Sequence, residues 1–216
     1  MNFKQSLKSI AVACSLAAAT AAQAGPVLFD SVGDNQLVTY ESQELTSFLK
    51  ATVDFTLTGL TSSTATFNVV VKNLSTGAGL NNLFAFGVTT VTPSLTSVGE
   101  NSTLFSAGVS KSFAGFDTID LCVYAGGTCG TAQPTTGLGM GQTNTFTLTL
   151  NTAGSFTNGV TFDSPYTIAF KGVGSALSTK AVTFESNPIP EPSSIALTGL
   201  VLVGLVGAGR AARKAA

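Results

Sequence analysis

The chain contains no histidine, so the residues whose types suit chemistry are its acidic side chains and two of its three cysteines, Cys122 and Cys129. Without histidine, a Ser-His-Asp or Cys-His mechanism has no general base. Glycoside hydrolysis needs only two carboxylates, and the candidate pairs are Asp117 with Asp120 and Asp54 with Glu185. Asp54 falls on the polar face of its segment. We therefore expect these acids to be solvated surface groups, and we expect the protein not to be an enzyme.

Oxygen ligands for a metal ion occur in the loop-like segment 29–35. Asp30 and Asp34 lie there, and Ca2+ takes carboxylate and backbone carbonyl oxygens as ligands. The spacing follows no EF-hand pattern, and Asp117 or Asp163 would have to join from other loops. We expect no metal or cofactor, and Ca2+ at Asp30 and Asp34 is the alternative.

Cys122 and Cys129 flank a glycine-rich turn. In an oxidising compartment such a pair is expected to form a disulfide, which stabilises the fold by about 2.5 kcal/mol on the loop-entropy model. A redox or zinc site is the alternative, but a chain without histidine offers few zinc ligands. We therefore predict a structural disulfide.

Aromatic rings on which a sugar could stack are few, since the chain has no tryptophan and only three tyrosines. Tyr124 lies between the two cysteines, where a disulfide would hold the ring in place. A buried ring with its hydroxyl group bonded at the surface is the commoner arrangement for tyrosine. Tyr124 is the candidate ligand contact, although the sequence does not identify the ligand.

Strands must position these residues, because apolar residues recur with a period of two along the middle of the chain. Segments 51–58, 67–72 and 145–150 alternate apolar residues with mainly polar ones, threonine above all, as half-buried antiparallel strands do. The other predicted strands lie near 36–41, 83–91, 114–124, 166–173 and 180–185. Residues 43–50 are the one short helix candidate.

Eight or nine short strands with glycine-rich turns predict an all-β fold, a single antiparallel β-sandwich with jelly-roll-like topology. Residues 25–187 form this predicted ectodomain, which is long enough for one sizeable core. Phenylalanine supplies most of its large apolar side chains. The expected core phenylalanines are Phe55, Phe67, Phe84, Phe86, Phe146, Phe162, Phe170 and Phe184.

Residues 1–24 predict an export signal peptide. Two lysines precede the apolar, alanine-rich segment 10–22, and cleavage after Ala24 would leave Gly25 as the first residue. Lipidation of Cys14 is the alternative, but it would leave only residues 10–13 as the apolar segment. In either case we expect export by the general secretion machinery.

Residues 188–216 combine a proline-rich spacer, an apolar run and a basic end. The prolines disfavour a helix upstream of residue 193, and the almost charge-free run 193–209 follows. This run would be a transmembrane helix, but it is short for a permanent span, which needs about 20 apolar residues. The basic tail of Arg210, Arg213 and Lys214 favours a cytoplasmic end. A plain single-pass anchor is one interpretation of this arrangement.

The three parts in this order also resemble a known signal. Pro190-Glu191-Pro192, a glycine- and leucine-rich apolar segment and a basic end are similar to the PEP-CTERM sorting signal of exported proteins of Gram-negative bacteria. The resemblance covers residues 190–216. It implies recognition by exosortase, a membrane cysteine protease or transpeptidase similar in role to sortase, and processing near Pro190 to Pro192. It also implies association with exopolysaccharide and biofilm matrix.

The net charge of the predicted ectodomain restricts the classes of molecule that it can bind. Five lysines and ten carboxylates between residues 25 and 187 give a net charge of −5, which repels phosphate backbones and argues against nucleic acid. Anionic polysaccharide would need a bridging divalent cation. We expect a structural, non-catalytic protein, transiently anchored in the inner membrane and then located at the cell surface or outside the cell. A carbohydrate-binding module and a glycan-processing enzyme with paired carboxylates are the alternatives.

Overall fold

The computed structural model describes residues 26–44, 47–113, 116, 118–129, 136–173 and 181–186, with the backbone alone at 80, 172, 173 and 181–186. Within these residues the chain forms twelve strands and no helix. The strands are β1 (Val27–Phe29), β2 (Asn35–Gln43), β3 (Ser47–Leu60), β4 (Thr64–Asn73), β5 (Thr76–Gly77), β6 (Leu80–Thr92), β7 (Leu95–Glu100), β8 (Ser106–Ser112), β9 (Thr118–Tyr124), β10 (Thr143–Thr152), β11 (Val160–Val173) and β12 (Ala181–Ser186).

The strands form two antiparallel sheets that enclose the main core between them, so the predicted all-β sandwich is confirmed. Sheet I has the order β1-β11-β6-β9-β8, with β12 also paired to β11. Sheet II has the order β2-β3-β4-β10-β7, with β5 paired to β3. At the two sides of the sandwich, β7 lies beside β8 and β12 lies beside β2.

The connections between the sheets only partly follow a jelly roll. From β6 to β8 and again from β9 to β11, the chain crosses from one sheet to the other at each step, as two Greek-key sheets require. β2, β3 and β4 instead form a meander within sheet II. The meander arises because short turns join these strands, and a short turn can only connect antiparallel neighbours.

The two-residue alternation that predicts the central strands also fills the core. Val53, Phe55 and Leu57 of β3 are buried, and their polar neighbours face outward. β4 and β10 repeat the pattern, and the register pairs Phe55 with Val69 and Val69 with Phe146. A one-residue shift would move every apolar side chain to the other face, so the pattern fixes this register.

Phenylalanine rings make up the centre of the core. Phe29 lies 5.1 Å from both Phe67 and Phe162, and Phe55 lies 5.4 Å from Phe162, all with edge-to-face contacts. Of the expected core phenylalanines, seven are buried, and the eighth, Phe184, is described by its backbone alone. Four further buried rings were not predicted because they lie in short strands or loops without alternation; they are Phe29, Phe105, Phe113 and Phe156.

The short helix candidate at residues 43–50 contributes to two strands instead. β2 continues to Gln43, β3 already begins at Ser47, and Gln43 pairs with Phe48. The alternation of β3 extends back to Ser47, which buries Ser47 and Leu49. Burial on one face of a sheet therefore outweighs the weak helical pattern of this short segment. Within the strand predicted near 114–124, the described strand is β9, which runs from Thr118 to Tyr124.

Candidate functional site

The residues predicted to direct export and sorting lie outside the described part of the chain. They are the cleavage pair Ala24 and Gly25, the motif Pro190, Glu191 and Pro192, and the basic residues Arg210, Arg213 and Lys214. A search of the described residues finds no helix long and apolar enough to cross a membrane. They therefore remain predictions from the sequence.

The first and last strands of the fold lie end to end along one edge of β11, which we call the seam. β1 pairs with β11 from Val27 opposite Phe162, and β12 ends with Ser186 opposite Tyr166. Both strands are antiparallel to β11 and therefore run in the same direction. The other edge of β11 is occupied by β6. The chain thus enters and leaves the fold at neighbouring points.

The predicted disulfide is confirmed. Cys122 and Cys129 are bonded, with their Cα atoms 6.2 Å apart, and both residues are buried. Cys122 lies on β9 between Leu121 and Val123, which face the main core, so its side chain points to the other face of sheet I. The bond therefore ties the turn after β9 onto the outer face of this sheet.

A second apolar layer covers that outer face. This outer cluster consists of Phe84, Ala85, Phe113, Ile119, Cys122, Cys129 and Ala169, with Phe116 and Tyr124 packed against it. The sheet is closely covered at Gly87, where an added Cβ atom would overlap Ile119 Cδ1 and the carbonyl oxygen of Leu121. This layer was not predicted from the sequence. The signal that could have revealed it is the run Phe113 to Phe116, apolar in an otherwise polar loop.

Tyr124, the candidate ligand contact, ends β9 beside this cluster. Its ring is half-buried and packs against the cluster, and its backbone lies between Ala85 and Ser106. The disulfide begins two residues earlier. One side of the ring therefore packs against the cluster, and the rest of the ring is accessible to solvent.

The Asp30 to Asp34 segment, the candidate Ca2+ loop, forms a tight turn between β1 and β2. Asp34 Oδ2 accepts hydrogen bonds from the backbone N–H groups of Asp30 and Ser31, both at 2.8 Å. Asp30 Oδ1 accepts one from the Ser31 hydroxyl group at 2.9 Å. This arrangement explains the local sequence, because an Asp side chain bonded to preceding N–H groups stabilises a turn.

Two of the candidate catalytic acids also accept hydrogen bonds from the fold. Asp120 Oδ2 accepts the backbone N–H of Val91 at 2.9 Å, just beyond the last β6–β9 pair, Val88 with Leu121. The carboxylate thus replaces a backbone carbonyl where the ladder ends. Asp54 accepts a hydrogen bond from the Asn35 side chain on the outer face of sheet II.

Each candidate carboxylate pair includes a residue whose side chain lies outside the described part of the chain. Asp54 is on sheet II, whereas Glu185 is on β12 of sheet I and is described by its backbone alone. Asp117, the proposed partner of Asp120, lies outside the described residues. In the part of the chain that is described, no group of three or more acidic or cysteine side chains could hold a metal ion.

Two tyrosines in the main core have pKa values raised above the usual value. Burial raises the pKa of Tyr40 well above its usual 10.0, and repulsion by Tyr166 in its ionised form raises it further. Burial also raises the pKa of Tyr166, with an additional contribution from the charge of Asp163. The Tyr166 hydroxyl group donates to the carbonyl oxygen of Phe162 at 3.4 Å. Both rings are therefore neutral parts of the core at neutral pH.

Comparison with known proteins adds no relative: no family model, no curated protein and no solved structure matches the chain.

Proposed function

We propose that this protein is an exported, non-catalytic structural component of the cell surface or extracellular matrix, sorted by an exosortase-type enzyme. The observation that carries the proposal is the C-terminal order of Pro190-Glu191-Pro192, the apolar run 193–209 and the basic end, which resembles a PEP-CTERM signal. The precursor is held transiently in the inner membrane by this tail. Exopolysaccharide is the proposed matrix partner of the released or transferred ectodomain.

The position of the last strand supports processing at this motif. β12 ends at Ser186, a few residues before Pro190. A cut near Pro190 to Pro192 would therefore leave all twelve described strands on the ectodomain. The described ectodomain would therefore keep both of its sheets.

The hydrogen bonds that three acidic residues accept support a non-catalytic role. Asp34 and Asp120 accept hydrogen bonds from backbone N–H groups, and Asp54 accepts one from Asn35. A general acid or nucleophile needs a carboxylate aimed at a substrate, whereas these three stabilise a turn, a ladder end and a strand pair.

Intact mass spectrometry of the protein recovered from the medium, surface and membrane of producing cells tests the proposal. The expected product lacks residues 1–24, lacks the segment after about Pro192, and carries one disulfide. Replacement of Pro190 and Pro192 by Ala should block tail removal, whereas Pro188→Ala, the matched control, should not. A membrane-bound product that still ends at Ala216 would contradict sorting and indicate a plain single-pass anchor.

Carbohydrate binding is the second candidate, and the outer face of sheet II favours it. β10 presents Thr143, Thr145, Thr147 and Thr149 on this face, and their hydroxyl groups make no hydrogen bond within the described residues. Adjacent hydroxyl and methyl groups suit a neutral glycan chain. Replacement of Thr145 and Thr147 by Ala should then weaken binding to neutral polysaccharide, as should Tyr124→Ala if that ring takes part. Unchanged retention on insoluble glycans in both variants would eliminate this function.

A further inference from the structure

The seam brings together the two ends that export and sorting would create. Val27 lies opposite Phe162 and Ser186 opposite Tyr166, so only three residues of β11, Asp163 to Pro165, lie between the entry and the exit of the chain. β1 is also firmly seated, because the buried Phe29 ring contacts Phe67 and Phe162. The geometry therefore holds both ends at one edge of sheet I.

The remaining chain is long enough to join these ends. Four residue steps along β11 span about 14 Å at ~3.4 Å per residue. Residues 187–190 and 25–26 add six residues, which reach up to about 20 Å at ~3.3 Å each. The gap can therefore be bridged without displacing β1 or β12.

We propose that the α-amino group of Gly25 is the acyl acceptor for the processed tail of the same chain, so that the mature ectodomain is a backbone-cyclised sandwich. The inference rests on the proposed function, since it needs a membrane cysteine transpeptidase as co-reactant. Glycine suits the acceptor role because its amine carries no side chain beside it. The fold supplies the proximity, which raises the effective concentration of this amine at the processed tail.

The two chemical steps balance without an oxidant or reductant. The thiolate of the transpeptidase attacks the carbonyl carbon of a peptide bond near Pro190 to Pro192, a C–S bond forms, and the C–N bond breaks as the departing tail amine takes a proton. The unprotonated Gly25 amine then attacks this thioester. A new C–N bond forms, the C–S bond breaks, and the amine proton is lost to the thiolate or to solvent.

Peptide and intact mass spectrometry of the mature protein from producing cells decides the question. The expected product is lighter by one water molecule than the linear tail-free chain, has no free N-terminus, and yields a peptide that joins the tail residues to Gly25. A tail-free product with a free Gly25 amine would overturn cyclisation and leave the sorting proposal intact. A product that still ends at Ala216 would overturn both.

Two variants of β1 test whether the pairing of β1 at the seam promotes cyclisation. Phe29→Ala should release β1 and lower the cyclised share of the tail-free product severalfold, while Leu28→Ala, at a half-exposed position of the same strand, should leave the share unchanged. Tail removal itself should continue in both variants. Undiminished cyclisation in Phe29→Ala would overturn the role of the seam. If that variant does not accumulate, the peptide analysis of the unmodified protein still decides the proposal.

Discussion

The side-chain amide of Asn73 donates a 2.7 Å hydrogen bond to the carbonyl oxygen of Leu138. The same Nδ2 donates to the carbonyl oxygen of Asn81 at 2.7 Å, and Oδ1 accepts the backbone N–H of Ser75 at 3.1 Å. Asn73 is fully buried. One amide group therefore joins the end of β4 to the start of β6 and to the segment that precedes β10.

Replacement of Asn73 by Ala should lower the free energy of unfolding by about 3 kcal/mol, because several buried backbone groups would lose their partner at ~1–3 kcal/mol each. Urea unfolding followed by circular dichroism measures the change, since the chain has no tryptophan. Asn68→Ala, on the outer face of the same strand, is the control and should cost less than about 0.5 kcal/mol. Equal losses in the two variants would contradict the joining role of Asn73.

Gly87→Ala should destabilise the protein by about 1–3 kcal/mol through overpacking. The added methyl group would meet both the Ile119 side chain and the rigid carbonyl oxygen of Leu121, so a second change, Ile119→Ala, should not restore stability. Gly99→Ala is the matched control, because no atom lies within 4 Å of its added Cβ. Thermal unfolding of the three variants compares them, and a neutral Gly87→Ala would mean that the outer cluster is not closely packed on sheet I.

Replacement of Cys122 and Cys129 together by Ala should lower stability by about 2.5 kcal/mol on the loop-entropy model. Both cysteines are buried, so we also expect the bond in the folded protein to resist a mild reductant and to open only when denaturant is added. Thiol titration with and without denaturant measures this protection. Rapid reduction of the native protein would show that the outer cluster does not shield the bond.

Asp120→Ala should cost about 1.5–3 kcal/mol, the usual contribution of a hydrogen bond to a charged group. The Val91 N–H would lose its acceptor at the end of the β6–β9 ladder. Asp120→Asn retains a side-chain oxygen and should recover at least half of the loss. Hydrogen exchange at the Val91 amide, measured by NMR, reports the contact directly. Unchanged protection of this amide in Asp120→Ala would refute the assignment.

Stability should decrease with rising pH above about pH 10, the usual pKa of tyrosine. The pKa values of Tyr40 and Tyr166 are raised in the folded protein, so in this range the unfolded chain loses protons that the folded chain keeps. Each buried tyrosine then lowers the free energy of unfolding by up to ~1.4 kcal/mol per pH unit. Below this range the contribution is fully present and constant.

Tyr166→Phe removes one of the two groups and should roughly halve the slope of stability against pH in alkaline solution. Denaturant titrations at several alkaline pH values measure the slope, and tyrosinate absorbance reports when the rings ionise. If both variant and parent lose stability at the same rate, the two core tyrosines do not govern the alkaline transition.

The sequence predicts most of the strands: besides the alternating ones, the strands predicted near 36–41, 83–91, 166–173 and 180–185 overlap β2, β6, β11 and β12. β3, β4 and β10 follow from apolar residues at every second position, and the disulfide follows from an even cysteine pair. The outer cluster was not predicted, because Phe113 lies in a loop and Phe84 is adjacent to an irregular register with β11. The hydrogen bond of Asp120 was also not predicted. In the sequence, an aspartate that accepts a backbone N–H cannot be distinguished from one that faces solvent.

The contact of β7 with β8 and of β12 with β2 affects how the protein behaves when crowded. Exposed sheet edges present unpaired N–H and C=O groups that can recruit strands from other molecules and begin aggregation. Here an edge of one sheet lies beside an edge of the other at both sides of the sandwich. These contacts leave little room for a strand of another molecule to add to those edges, which opposes the merging of neighbouring copies into fibrils.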